Sequence, residues 1–198
     1  MLFPTTRFFL FDLPTQLYVC EQYLSSIFPD SVFSFRDTKN LKTLPKKLKG
    51  KIFIFGTYMF PILEKVKIDV FLNSGSFQEM EPHVVLNYLK YINENSENVF
   101  LCQRMTGKQL AKSKGQPGVL NQTKFEHYES GLPNFKLIEM TEMITPFGNT
   151  TSTNPHHRDC YFSFWKRKKI KKIVQKLIVS FISTSFKRDM INLTLIYS

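Results

Sequence analysis

An aspartate that closes a short apolar run is the first residue of this chain whose type and place suggest chemistry. Asp12 follows the run at residues 8–11 and precedes Leu13-Pro14. A carboxylate at the end of an early strand can accept both hydroxyls of a ribose, because its two oxygens match a vicinal diol. The same placement serves equally well as a helix cap. Further on, Asn73-Ser74-Gly75-Ser76 closes another apolar run with small polar side chains and a flexible main chain, which lets a ligand come close to the backbone. Such a tetrapeptide is also an ordinary turn. His156-His157 with Asp159 and Cys160 are metal-ligating residue types. They are adjacent rather than spaced to converge, so they read as a loop leading into a late strand at 160–164. Cys20, Cys102 and Cys160 are far apart and lack a CxxC partner, which argues against a disulfide framework or a zinc knuckle and fits a reducing cytosol.

Elements of alternating type are needed to position these residues. After Asp12, Leu17, Cys20, Tyr23, Leu24 and Ile27 recur at helical spacing until Pro29. Residues 39–51 form a basic loop. Residues 52–55 and 68–72 are apolar runs closed by Gly56 and by Asn73-Ser74-Gly75, and continuous runs of this kind suit strands covered on both faces. Glu81-Pro82 opens a helix with the stripe Val84, Val85, Tyr88, Leu89 and Ile92. A fourth run occupies 98–102. Strands separated by crossover helices predict an α/β fold with a mostly parallel sheet and ligand chemistry outside the strands' carboxyl ends. Those ends are Asp12, Gly56, Asn73 to Ser76, and Gln103.

Composition sets the outer limits. With 198 residues and 42% apolar content, there is enough material for one cored domain. Eight Gly and ten Pro exclude collagen-like and low-complexity readings. The first apolar run is too short for a signal h-region and is broken by Arg7 and Asp12. No run reaches about 18 residues, so neither a cleaved signal nor a spanning helix is predicted. Charge is unevenly placed: residues 1–143 hold 17 Lys+Arg against 14 Asp+Glu, and residues 144–198 hold 10 against 2. The basicity is a property of the tail. A boundary is expected in the polar stretch 145–154, dividing an α/β domain at 1–143 from a loop, late strand and basic tail at 144–198.

Beyond these patterns, residues 71–92, FLNSGSFQEMEPHVVLNYLKYI, resemble the signature of the sugar O-methyltransferases, a class I S-adenosylmethionine-dependent family. There, an Asp-led strand ends in Asn and is followed by Ser-Phe-Gln-Glu-Met and a helix carrying Tyr and Leu. The matching residues are Asp69, Asn73, Ser76-Phe77-Gln78-Glu79-Met80, Tyr88 and Leu89. Residues 8–30 resemble the family's second strand and next helix, and 101–108, LCQRMTGK, its fifth strand. The likeness spans residues 7–140 and departs at Gln103, where the family has Asn. It implies a partial Rossmann-like class I methyltransferase sheet, S-adenosylmethionine as cofactor, and a sugar hydroxyl as acceptor in surface-polysaccharide synthesis. It places Asp12 at the ribose, Gly56 and Thr57 near the adenine, and Asn73 and Ser76 near the methionine moiety, with Ser74 and Gly75 in the same loop. Glu79 is then the first candidate for general base and His83, one helical turn on, the second. Helix-start electrostatics for Glu79 and a plain surface histidine at position 83 are the competing readings.

The family also opens with a strand and a Gly-rich turn, and here no glycine precedes Asp12. The resemblance therefore implies a truncated or inactive remnant. Its strands at Phe8 and Ile68 would face a gap or pair with each other, and a partner chain could supply the missing strand.

The tail admits a second reading. Ile170, Ile173, Val174, Leu177, Ile178, Phe181 and Ile182 recur at steps of three and four behind Trp165, with Lys166, Arg167, Lys168, Lys169, Lys171, Lys172 and Lys176 around them. This is the pattern of a C-terminal basic amphipathic helix, suited to docking on the domain or to lying on an anionic membrane. Nucleic acid is disfavoured, since neither an aromatic platform nor a binding motif is present. The alternative function is thus a non-catalytic basic protein that binds a membrane surface or partner through residues 165–182. Either way, a cytoplasmic location is expected, with peripheral contact at the inner membrane face.

Overall fold

The computed structural model describes residues 5–45, 49–142 and 160–169. Strand β1 (Phe8–Asp12) leads through helix α1 (Pro14–Ile27) to the short strand β2 (Val32–Phe33), helix α2 (Phe35–Thr38) and strand β3 (Ile52–Gly56). β3 lies between β1 and β2 and is parallel to both, with Asp12 opposite Gly56 in register. The apolar run at 52–55 behaves as expected of a strand covered on both faces: every position is buried. Phe53 stacks with Phe33 and Phe55 with Phe11, and Phe9 lies tilted against both. Thr38 is buried too, and its hydroxyl donates to the Ile54 carbonyl. Ser34 and Asp37 form a reciprocal cap that starts α2. Of the expected α1 stripe only Leu17 is fully buried, while Tyr23 and Ile27 remain exposed. A sheet three strands wide gives a 14-residue helix too little surface to cover its whole apolar side.

A 3₁₀ segment (Thr57–Leu63) leads into a second sheet. Strand β4 (Ile68–Ser74) runs parallel to strand β5 (Ser96–Arg104), with a 3₁₀ turn (Phe77–Glu79) and helix α3 (Pro82–Asn95) between them. Helix α4 (Phe125–Gly131) and strand β6 (Phe135–Glu142) follow, and strand β7 (Cys160–Arg167) enters antiparallel between β5 and β6. The order is β4-β5-β7-β6. The α/β class and the largely parallel pairing agree with the sequence reading. β1 and β4 do not pair with each other; each is an edge of its own sheet.

One face of the second sheet holds the main core. Val85, Leu89 and Ile92 of α3 pack with Val99 and Leu101 of β5, Trp165 of β7, and Tyr128, Leu132 and Phe135. Gly131 permits this, because a Cβ there would lie 2.4 Å from Leu89 Cδ1. The opposite face departs from expectation. Val70 and Leu72 of β4 are 56% and 68% exposed. With Phe100 and Phe162 they leave this side of the sheet without a covering helix among the described residues.

Trp165 also differs from its sequence assignment. It lies inside β7 rather than at the head of a helix, is buried, and donates from Nε1 to Ser163 Oγ at 2.9 Å. Arg167 leaves the basic cluster as well. Its Nε and Nη2 donate to the Ser96 and Asn93 carbonyls at 2.6 and 2.8 Å, closing the C-terminal end of α3. The remaining amphipathic pattern, from Ile170 to Ile182, lies outside the described residues, as do the polar stretch 145–154 and His156, His157 and Asp159. Among the described residues no helix is long and apolar enough to cross a membrane.

Candidate functional site

The carboxyl ends of β1, β3, β4 and β5 carry the residues singled out above. Asp12 is exposed, and its Oδ1 accepts the Leu13 amide at 2.7 Å, so part of its carboxylate serves the start of α1. Among the described residues its Oδ2 has no partner. Across the register Gly56 is buried, and Thr57 begins the 3₁₀ segment. A Cβ at Gly56 would lie 2.6 Å from the Tyr58 ring, so glycine is needed for this ring to stand over the strand end. Tyr58 is largely exposed there and was not anticipated. Phe11, beside Asp12, and Phe71, two residues before Asn73, both rest on Phe60, at 5.0 and 6.4 Å between ring centroids. A shared aromatic layer therefore ties the ends of the two sheets together.

The Asn73–Ser76 loop is held from within. Asn73 Nδ2 donates to Ser76 Oγ at 2.7 Å, and Asn73 Oδ1 accepts from Phe77 N at 3.2 Å and from Gln103 Nε2 at 2.6 Å. Gln103 is buried; its Oε1 accepts from Gln78 N, and Gln78 Oε1 accepts from Arg104 N. The two glutamines thus clamp β5 to the turn after β4. Most of the Asn73 amide is committed to this network, so Asn73 shapes the loop more than it faces a ligand. The Ser74 hydroxyl is hydrogen-bonded to Cys102, whose thiol pKa is pushed up by burial against that partly opposing bond. Ser76 Oγ accepts from Asn73 and keeps its own proton to donate, and Gly75, with φ +77°, has open space where a Cβ would stand.

Glu79 does not lead α3. It sits in the preceding 3₁₀ turn and pairs with Lys108. His83 is exposed on the first turn of α3. Between them, Glu81 has a positional role that sequence reasoning missed. Its carboxylate accepts from Leu120 N at 2.7 Å and from Asn121 N and Nδ2 at 2.9 and 3.1 Å. Hydrogen bonding, chiefly from Leu120 N, holds its pKa below the ordinary value of 4.5 despite some desolvation. With Thr123 Oγ1 donating to Met80 O at 2.8 Å, these bonds pin the 105–124 segment over the rim. Past the end of β5, an open depression of about 440 Å³ is lined by Met105, Thr106, Gln122, Lys124, Phe125, Glu126 and Glu129. The signal for Gln78 and Gln103 was in the sequence, in the quoted motif and at a strand end. Nothing local marked Glu81 as a loop anchor, because its partners lie about forty residues away.

No family model matches this chain, and no curated protein matches it. Several solved structures resemble it in part, three of them as follows. The pyocyanin biosynthetic protein PhzM aligns at 14% identity and TM-score 0.46, covering 83% of this chain and 44% of that one. A protein from work on converting a disulfide bond into a thioacetal group during echinomycin biosynthesis aligns at 12% and 0.47, covering 87% and 71%. PigF with SAH aligns at 8% and 0.39, covering 81% and 43%. The chain spans less than half the length of the PhzM and PigF chains.

Proposed function

We propose that this chain carries the nucleoside side of an S-adenosylmethionine site and belongs to an O-methyltransferase acting on a sugar hydroxyl. The observation that carries this reading is Asp12: an exposed carboxylate at the end of a parallel strand, opposite a buried glycine, with Oδ2 available for a diol. The fit to the cofactor is partial. Asp12 would hold the ribose, Thr57 and the Tyr58 ring would border the adenine, and Gly75 and Ser76 would approach the methionine moiety. A glycine-rich cradle ahead of Asp12 is not part of this sequence.

When bound, the cofactor supplies an electrophilic methyl group to an oxygen nucleophile. The task of this chain is then alignment, with the acceptor hydroxyl held in line by the rim. The hydroxyl proton would pass to a base within hydrogen-bond reach. Glu79 offers Oε1 for this while Lys108 engages Oε2. His83 stands as the second candidate. The test is calorimetric titration of the full chain with S-adenosylmethionine. Saturable binding, weakened at least tenfold by Asp12→Ala with the fold intact by circular dichroism, is the expected result; undiminished affinity in the variant removes Asp12 from the ribose role.

A further inference from the structure

Two cysteines far apart in the chain converge on one side of the second sheet. β5 and β7 pair antiparallel with Cys102 opposite Phe162 and Arg104 opposite Cys160, in a register without a bulge. Cross-strand partners share a face, and so do residues two apart along a strand, so both thiols lie on the side of Phe100 and Phe162. They are diagonal neighbours, about 7–8 Å apart between Cα atoms. Each is a thiol in this structure rather than half of a bridge. Burial raises the Cys102 pKa, and the nearby Cys160 thiol adds to that rise. Cys102 is buried inside β5, flanked by β4 and β7, and shares a hydrogen bond with Ser74. Cys160 is half-buried and is the first residue of β7. Cys20 sits elsewhere, on α1 against the other sheet.

We propose that Cys102 and Cys160 form a reversible disulfide in the folded chain, made by exchange with a low-molecular-weight disulfide and coupled to the loop at Ser74. A disulfide spans about 4.4–6.8 Å between Cα atoms, so the distance to be closed is about 1 Å. Cys160, at a strand end, can move that far. Cys102, held on both sides by neighbouring strands, stays in place. The half-buried Cys160 is therefore the entering group: its thiolate bonds to one sulfur of the small disulfide and expels the other half as a thiolate. The Cys102 thiolate then attacks the Cys160 sulfur, expels the second half and closes the bridge. Two electrons pass from the cysteines to the small disulfide, and the two cysteine protons end on the two small thiols released. Closure across a stretched diagonal leaves strain, and strained or exposed disulfides are the easily reduced ones. A bridge of this kind is transient in a reducing compartment and suits redox sensing. Once bridged, Cys102 has no thiol proton and its sulfur is drawn toward β7, away from Ser74 on β4. Ser74 then loses its partner, and the rim beside Gly75 and Ser76 shifts. This site stands whether or not that rim holds S-adenosylmethionine.

The test is to treat the folded full chain with glutathione disulfide, quench in acid, digest with trypsin without reductant and weigh the peptides. The expected product joins residues 91–104 to 159–166, lighter than the two separate peptides by two hydrogen atoms. It should exceed any pair made with Cys20 by about tenfold, because only the diagonal pair is near bridging distance. In urea that preference should disappear, and reduced glutathione should return the native bridge to thiols. On closure the Gly75 and Ser76 amide resonances should shift while those of β3 hold. A glutathione adduct at Cys160 that never closes, a link formed only between two chains, a preference that persists in urea, or a bridge that resists reduced glutathione overturns the proposal. Unmoved Gly75 and Ser76 resonances overturn its coupling to the loop.

Discussion

At the scale of single residues, the polar groups of the rim divide into those that build it and those that face outward. Gln103 is a builder: it is 1% exposed and serves Asn73 and Gln78 together. Gln103→Leu should destabilise the chain by about 1–3 kcal/mol in urea titration, since the Asn73 and Gln78 groups lose their buried partner. Glu81 builds through charge. Because folding lowers its pKa, its contribution is fully present above the ordinary 4.5 and is lost as pH falls through the lower folded value. In acid the protection factors of the Leu120 and Asn121 amides, the intrinsic exchange rate at each pH divided by the observed one, should therefore fall in the native chain, and Glu81→Gln should make that protection nearly independent of pH between about 5 and 3. The positions of Asp12 and the Asn73–Ser76 loop at strand ends could be read from the sequence, because an apolar run and its polar stop are adjacent in the chain. The use of the Asn73 amide as a clamp could not. It depends on Gln103, thirty residues away and brought alongside by the β4–β5 ladder.

At the scale of elements, the apolar runs translated into strands and the spaced stripes into helices, most faithfully where one element buried one face. α3 is the clearest case, with Val85, Leu89 and Ile92 fully buried as the periodicity required. α4 and β6 were not foreseen, since FEHYESG is short and polar and β6 is an edge strand whose side chains are mostly exposed. The stretch around Trp165 carries the main correction. Aromatic and basic residues there looked like the head of a helix, yet the CYFSFWKR strand pairs on both sides. Trp165→Ala should accordingly reduce stability by about 3–5 kcal/mol in thermal or denaturant unfolding, the range for a core tryptophan. A change within about 0.5 kcal/mol, as for an exposed position, would count against this placement.

At the scale of the whole molecule, the two sheets meet, among the described residues, through aromatic rings rather than through a ladder, and the second sheet has an apolar side that no described helix covers. Exposed apolar patches of this kind promote association. Leu72→Lys should therefore leave the unfolding midpoint almost unchanged while raising the concentration at which light scattering detects association. Local information was enough to establish the α/β class, the apolar runs that became β1, β3, β4 and β5 with helices α1 and α3, though not the short β2 and α2, and the concentration of basic charge near the carboxyl terminus. Each of these depends on side chains a few positions apart, or on a count. The division of the sheet, the bare side at Val70 and Leu72, the capture of Arg167 by the end of α3 and the anchoring of a distant loop by Glu81 emerge only on folding. They arise from contacts between segments tens of residues apart, and hydrophobic periodicity carries no record of which segment will arrive to cover a given face.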